Sequence, residues 1–259
     1  MRGRSRPAAR TCGRTGKILR VAAAVAAFWL ALAAEVPFVG GAQPPEVPVS
    51  GPERSLWFQK TRERQKDIDG LRASVVQRKR HPSLKGELVS EGTLLYRKPA
   101  LLRWEIVRPE SMVLVMDGSK LTVYHPSRKE AERKYLSDSM ATRAAVEFLT
   151  VGMAPSLQEL ERRFRVELLR GEGYFVLKLF PRGKWLSRAV SSISVYHGEE
   201  GIAPRRVVVE GAGGERTETS LTRVVANPAF PPDAFDLRLG PDVNVIEEGG
   251  IGKVRQDAP

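Results

Sequence analysis

The sequence predicts a mainly β protein with helices, an α+β chain built on antiparallel strands. Beyond Gly70, short runs of β-branched, aliphatic and aromatic residues recur between turn signals at regular spacing. Asp117-Gly118 stands between two apolar runs, where glycine supplies the positive φ of a tight hairpin. Helix-forming stretches fall in two places only, one before the strands and one between two β halves.

Taken in order, residues 53–67 (ERSLWFQKTRERQKD) contain good helix formers and neither Pro nor Gly. Leu56, Trp57 and Phe58 lie together near the start and are expected to anchor one face; the rest is charged, so most of this helix is expected to be solvated. Strands follow at residues 71–80, 86–97, 101–108, 112–117, 120–125 and 129–136. Pro99 and Pro109 sit at strand boundaries, where a missing N–H costs little. Asp138 or Ser139 caps a helix through residues 140–150, and Pro155 starts a second one through residues 156–164. Strands resume at residues 165–169, 174–180, 189–196, 205–210, 215–225 and 235–239. No internal repeat of fixed period appears.

Several strands are apolar on both faces. Met112-Val113-Leu114-Val115-Met116 has no polar side, and Phe175-Val176-Leu177 and Val207-Val208-Val209 are similar. A solvent-backed antiparallel sheet alternates instead. These strands are therefore covered on both sides, or one side lines an apolar space. By contrast, Leu102, Trp104 and Ile106 alternate with Arg103 and Glu105, which makes one dry face and one wet face.

The 259 residues carry a formal charge of +12, with 42% hydrophobic and 28% charged residues, so a packed core is expected. Half of that charge lies in residues 1–42, which hold seven bases and one acid. The remainder is a weak argument for nucleic acid, and none is expected as a partner. The seven bases precede an apolar run over residues 21–34, shorter than a full span of about 20 residues. Residues 1–42 are read as a secretory signal peptide, with Gly40-Gly41-Ala42 as a cleavage site; an uncleaved anchor is the other reading. Residues 43–52 (QPPEVPVSGP) read as an irregular Pro-rich linker, residues 53–250 as the folded domain and residues 251–259 as a disordered tail. Cys12 is the only cysteine, which excludes an internal disulfide and a cysteine metal site.

Little supports an enzyme. His81, His125 and His197 each stand beside a turn signal and read as exposed turn residues, not as a metal site. No nucleophile elbow, zinc-protease helix or phosphate-binding loop occurs. Gly171-Glu172-Gly173 and Gly211-Ala212-Gly213-Gly214 lie between strands and read as turns. No catalytic residue, metal or cofactor is assigned.

Residues 92–135 carry the most informative pattern. A strand rooted at Gly92 leads to Arg97-Lys98-Pro99, then to Arg103-Trp104-Glu105 and Pro109. An apolar strand from Val113 to Met116, Asp117-Gly118 and Tyr124-His125-Pro126 follow. With the tail Phe235-Asp236-Leu237 and Asp242-Val243-Asn244-Val245, this resembles the LolA-like family of outer-membrane lipoprotein carriers.

The resemblance implies an incomplete antiparallel β-barrel, a half-barrel of about 11 strands. It further implies an N-terminal helix and an internal helical lid that enclose an apolar cavity for acyl chains. It also implies a periplasmic carrier of a Gram-negative bacterium, working as a monomer between an inner-membrane exporter and an outer-membrane acceptor. Matching parity assigns Leu102, Trp104, Ile106, Leu114 and Met116 to the cavity wall, with Phe148, Leu149 and Met153 on the lid's inner side.

Two positions depart from the family pattern. Lys98 stands where those carriers place an arginine that bonds to the lid, with Arg97 one residue earlier; the pair is the candidate lid latch. Lysine cannot make arginine's planar fork, and adjacent strand residues face opposite ways. Thr122 occupies a position that is usually aromatic, so the cargo is open. A glycolipid or other lipid serving a dedicated RND-like exporter, or a sensor module that transports nothing, are the alternatives.

Overall fold

The computed structural model describes residues 45–135, 157–199 and 203–248, all within one compact unit. In chain order these form β1 (Val47–Val49), α1 (Gly51–Gln65), β2 (Gly70–Arg80), β3 (Leu88–Arg97), β4 (Leu101–Arg108), β5 (Met112–Asp117) and β6 (Lys120–His125). A 3₁₀ turn (Pro126–Arg128) leads to β7 (Glu130–Tyr135), then α2 (Leu157–Arg163), β8 (Phe164–Gly171) and β9 (Tyr174–Pro181). The chain continues through α3 (Lys184–Ser187), β10 (Val190–Gly198), β11 (Pro204–Gly211), β12 (Arg216–Ala226) and β13 (Asn244–Glu248).

The strands make one open sheet in the order β1-β8-β9-β10-β11-β12-β2-β3-β4-β5-β6-β7-β13. Every pairing is antiparallel except β13 on β7. The two β halves expected from sequence join where β12 pairs with β2. The sheet has thirteen strands among the described residues, against the 11 or so expected, because both chain ends add an edge.

Both edge strands correct the sequence reading. Residues 43–52 were expected to be irregular, yet Val47–Val49 pairs with β8 and α1 already begins at Gly51. Proline is tolerated there because an edge strand bonds on one side only. The expected strand at residues 235–239 is not formed. Asn244–Glu248 makes the last strand instead, tied to β7 by Lys129–Asp242 at 2.6 Å and Arg133–Glu247 at 3.0 Å.

Between β12 and β13 the chain crosses one face of β2–β4. Asn227 anchors this crossing: its Oδ1 accepts from the Asp69 N–H at 2.7 Å, and its Nδ2 donates to the Asp67 carbonyl at 2.8 Å. Farther on, Arg97 lies 5.4 Å from the Phe235 ring centroid, and Arg103 donates to the Asp236 carbonyl at 2.7 Å. We call this the outer face.

The hairpin at Asp117-Gly118 forms as expected. Gly118 has φ +87°, and Asp117 Oδ1 accepts from the backbone N–H groups of Ser119 and Lys120 at 3.0 Å each. Gly92 meets a different demand. At the β3–β4 bulge, Glu91 faces Arg108 and Gly92 faces Ile106, which leaves Val107 unpaired and exposed. A Cβ on Gly92 would lie 1.8 Å from the Glu105 carbonyl oxygen. Gly92→Val is therefore expected to destabilise the fold by about 3 kcal/mol, the range of steric insertion into a packed site. Urea denaturation measures it, and a loss below about 1 kcal/mol would show that the bulge yields.

Candidate functional site

Register decides which side chains share a face. Across the first half, Ala73 stands opposite Leu94, Leu94 opposite Trp104, Trp104 opposite Leu114, and Leu114 opposite Val123. One row below run Leu71, Tyr96, Leu102, Met116 and Leu121. The same parity carries through β12 to Val207, Val195 and Leu177. These residues form one continuous face, opposite in parity to Arg97 and Arg103. It is the inner face.

Helix α1 lies on this side of the second half. Phe58 packs against the cluster of Leu160, Phe164, Leu177, Leu179, Ile193 and Val195. Trp57 meets His197 edge-on at 5.6 Å and Phe175 at 5.7 Å. Trp57 and Phe58 thus supply the apolar anchor expected near the helix start, whereas Leu56 is exposed. Most of the helix is exposed, as expected, but Thr61 and Gln65, one and two turns after Trp57, are buried. Polar pins hold the helix from outside the core. Arg54 pairs with Glu161 at 2.8 Å, Glu53 pairs with Arg170, and Arg64 donates to the Glu199 carbonyl at 2.6 Å.

The five wall residues expected from sequence come together on the inner face. Leu102 is 1% exposed and Met116 0%, and Trp104, Ile106 and Leu114 are also buried. Trp104 pairs with Leu114 and Leu102 with Met116, while Ile106 pairs with Met112. Sequence reasoning missed Met112, Tyr96, Leu94 and the β2 trio Leu71, Ala73 and Val75. The parity rule that selected Leu114 and Met116 also selects Met112. Placing β2 and β3 needed the sheet's register. Phe148, Leu149 and Met153 lie outside the described residues.

The outer face explains the strands that are apolar on both sides. Val115 and Thr122 are cross-strand neighbours of that parity, and both are buried next to Arg103. Val176, Tyr196 and Val208 form a second cluster on the outer side of the other half.

The candidate latch residues point to different partners. Lys98 Nζ donates to the carbonyls of Gln65 and Lys66 at 3.3 Å each, at the C-terminal end of α1. A cation there also meets the negative end of the helix dipole. Arg97 faces outward onto Phe235.

A family model described as "Outer membrane lipoprotein carrier protein LolA" matches residues 66–238. The chain belongs to this family. A Bordetella avium protein named outer-membrane lipoprotein carrier protein is 22% identical over 167 residues, covering 64% of this chain and 75% of the relative. A Xylella fastidiosa protein of the same name is 28% identical over 159 residues, covering 61% and 71%. Among solved structures, a LolA superfamily protein from Nitrosomonas europaea aligns with TM-score 0.40 and 16% identity over 71% of this chain and 97% of its own.

Within this LolA-family chain, Thr122 lies on the face opposite the wall residues. It faces outward, paired with Val115 and Arg133, and does not reach the inner face. Among the described residues no group of three or more His, Cys, Asp or Glu is placed to hold a metal ion. His81 and His125 sit at turns, part-exposed. His197 does not fit the expectation of exposed turn histidines. It is 3% exposed on the inner face, between Phe175 on β9 and Pro204 on β11 and against Trp57. Its Nδ1 has no hydrogen-bond partner among the described residues.

Burial pushes the His197 imidazole down to about 4 from its ordinary 6.5. The folded state keeps it neutral while the unfolded chain takes up a proton below about 6.5. Stability from this group is therefore complete above pH 6.5 and is lost as pH falls toward 4. Urea titrations at pH 7.5 and 4.5 should show wild type losing about 2–3 kcal/mol more than His197→Phe. Equal losses would place the imidazole in water.

Proposed function

We propose that this protein is a periplasmic carrier that shields acyl chains of lipoproteins or lipids on its inner face. In this reading it moves them from an inner-membrane exporter to an outer-membrane acceptor. The observation that carries the reading is the unbroken apolar inner face over β2–β6, from Leu71 to Leu121, in a chain of the LolA family. Leaving an acyl chain in water costs about 0.8 kcal/mol per CH₂, so a chain of about fifteen methylenes needs about 12 kcal/mol of dry contact. Leu102, Trp104, Ile106, Leu114 and Met116 supply that contact in this reading.

The carrier works as a monomer, with no cofactor and no chemical step. Residues 1–42 export it as a signal peptide, and the folded domain carries the cargo. Release requires a bistable cover biased by donor and acceptor. Lys98 acts on opening through α1, whose last carbonyls it holds; Arg97 acts through the C-terminal crossing.

Leu114→Arg places a cation in the middle of the wall, where Trp104 and Val123 flank it. Lipid loading, read by native mass spectrometry of protein recovered from the periplasm, should fall at least tenfold. Trp104→Leu, a milder change, should lower it by less while circular dichroism shows an unchanged fold. Wild-type loading in a folded Leu114→Arg protein would remove this face from cargo binding.

Lys98→Ala releases the end of α1 and should alter the rate of lipid transfer to acceptor vesicles at least threefold, with the fold retained. Transfer at the wild-type rate would take Lys98 out of the mechanism.

A further inference from the structure

Helix α1 covers the second half of the inner face, and His197 lies beneath it. The ring is 3% exposed, Trp57 meets it edge-on at 5.6 Å, and its Nδ1 has no hydrogen-bond partner among the described residues. A buried nitrogen without a partner favours any rearrangement that returns it to water, and a charged imidazolium favours it far more.

The charged groups around the ring are engaged elsewhere or exposed. On α1, Glu53 pairs with Arg170, Arg54 pairs with Glu161, Arg64 donates to the Glu199 carbonyl, and Lys60 is exposed. From β8, Arg170 reaches the Phe175 ring on β9, 5.4 Å from its centroid. From β11, Arg205 lies against Gly198. Burial alone holds the imidazole down at about 4, so none of these charges sets its titration.

What must move to hydrate the ring follows from how each neighbour is held. Phe175 and Pro204 are fixed by the ladders of β9 and β11 with β10. Trp57 belongs to α1, which no ladder holds. Two pins of that helix, Arg54–Glu161 and Glu53–Arg170, are ion pairs in reach of solvent, and such pairs contribute little. The packing of Trp57 and Phe58 is what keeps it down. Lifting α1 therefore hydrates His197 with the strands in place, a local opening of the fold.

We propose that His197 makes α1 an acid-released cover: at neutral pH the helix stays down on the inner face, and in a mildly acidic medium the imidazole protonates, α1 lifts and the cargo is freed. The proposal rests on the carrier reading and adds a third bias on the cover to those of donor and acceptor. The lifted state takes up the proton below about 6.5 and the closed state only below about 4, so closure is complete above pH 6.5 and weakens as pH falls. At pH 5.5 the ratio of lifted to closed helix is about tenfold that at pH 7.5.

The test follows amide hydrogen exchange of the full chain by mass spectrometry at pH 7.5 and 5.5, corrected for the intrinsic exchange rate at each pH. Transfer of pyrene-labelled phosphatidylcholine to phosphatidylcholine vesicles is measured on the same samples. Between the two pH values wild type should lose about tenfold in protection over α1, keep its protection over β4 and β5, and transfer lipid faster by a similar factor. His197→Phe and His197→Gln, one apolar and one polar but neither titrating, should each remove both responses. Equal α1 protection of wild type at the two pH values, an acid response kept by both variants, loss of β4 and β5 protection along with α1, or one transfer rate at both pH values overturns the proposal. The carrier reading fails separately: α1 would open in acid as stated, and no pyrene-labelled lipid would bind at either pH.

Discussion

The constraint on which the structure depends is parity. In a strand, alternate residues face opposite ways, and a slip of one residue exchanges the two faces. This chain carries a single inner face from Leu177 on β9 through Val195, Val207 and Val75 to Leu114 and Leu121. Where the register shifts, it shifts at bulges that re-establish the face. Val107 is extruded at Gly92, and β12 is irregular between Thr222 and Val225 as it meets β2. A bulge inserts one residue and raises the local twist, so the sheet bends without turning its wall inside out.

Much of this was legible before any coordinates. Strands at residues 101–108, 112–117 and 120–125 were read with the bounds they have, because Pro109 and Asp117-Gly118 punctuate them by mechanisms local to the chain. The wall residues of β4 and β5 were legible for the same reason: parity within a strand needs no partner. What remained hidden depends on pairings between distant segments. β1 exists because β8 offers an edge to Val47 and Val49, and β13 because β7 offers one to Asn244–Glu248. His197 next to Gly198 looks like a turn residue, yet Trp57, some 140 positions earlier, covers it. No window of sequence contains both rings.

The edges also show how an open sheet avoids unwanted pairing. Exposed strand edges template association with other chains. Here one edge is three residues long and carries Pro48, and the other pairs in parallel and is set among ion pairs from Lys129 and Arg133. Each exposed ion pair contributes little to stability. Their placement favours one register of β13 over its neighbours, which an apolar edge would not do. The crossing from β12 to β13 meets the outer face at Arg103, whose cross-strand neighbours Val115 and Thr122 are buried.

Helix α1 combines these themes. Its buried stripe begins with Trp57 and continues with Thr61 and Gln65, so apolar packing holds one end and polar groups the other. An aromatic ring buried against Phe175 contributes more to anchoring than a threonine or a glutamine that has left water and must be matched by a partner. At the Gln65 end Lys98 reaches across from the β3–β4 turn. A lysine at that point supplies a single rotatable donor, where an arginine would fix two carbonyls in one plane. Packing thus holds α1 at Trp57, and backbone carbonyls bonded to Lys98 hold it at Gln65. That end adjoins the start of β2, where the apolar inner face begins with Leu71 and Ala73.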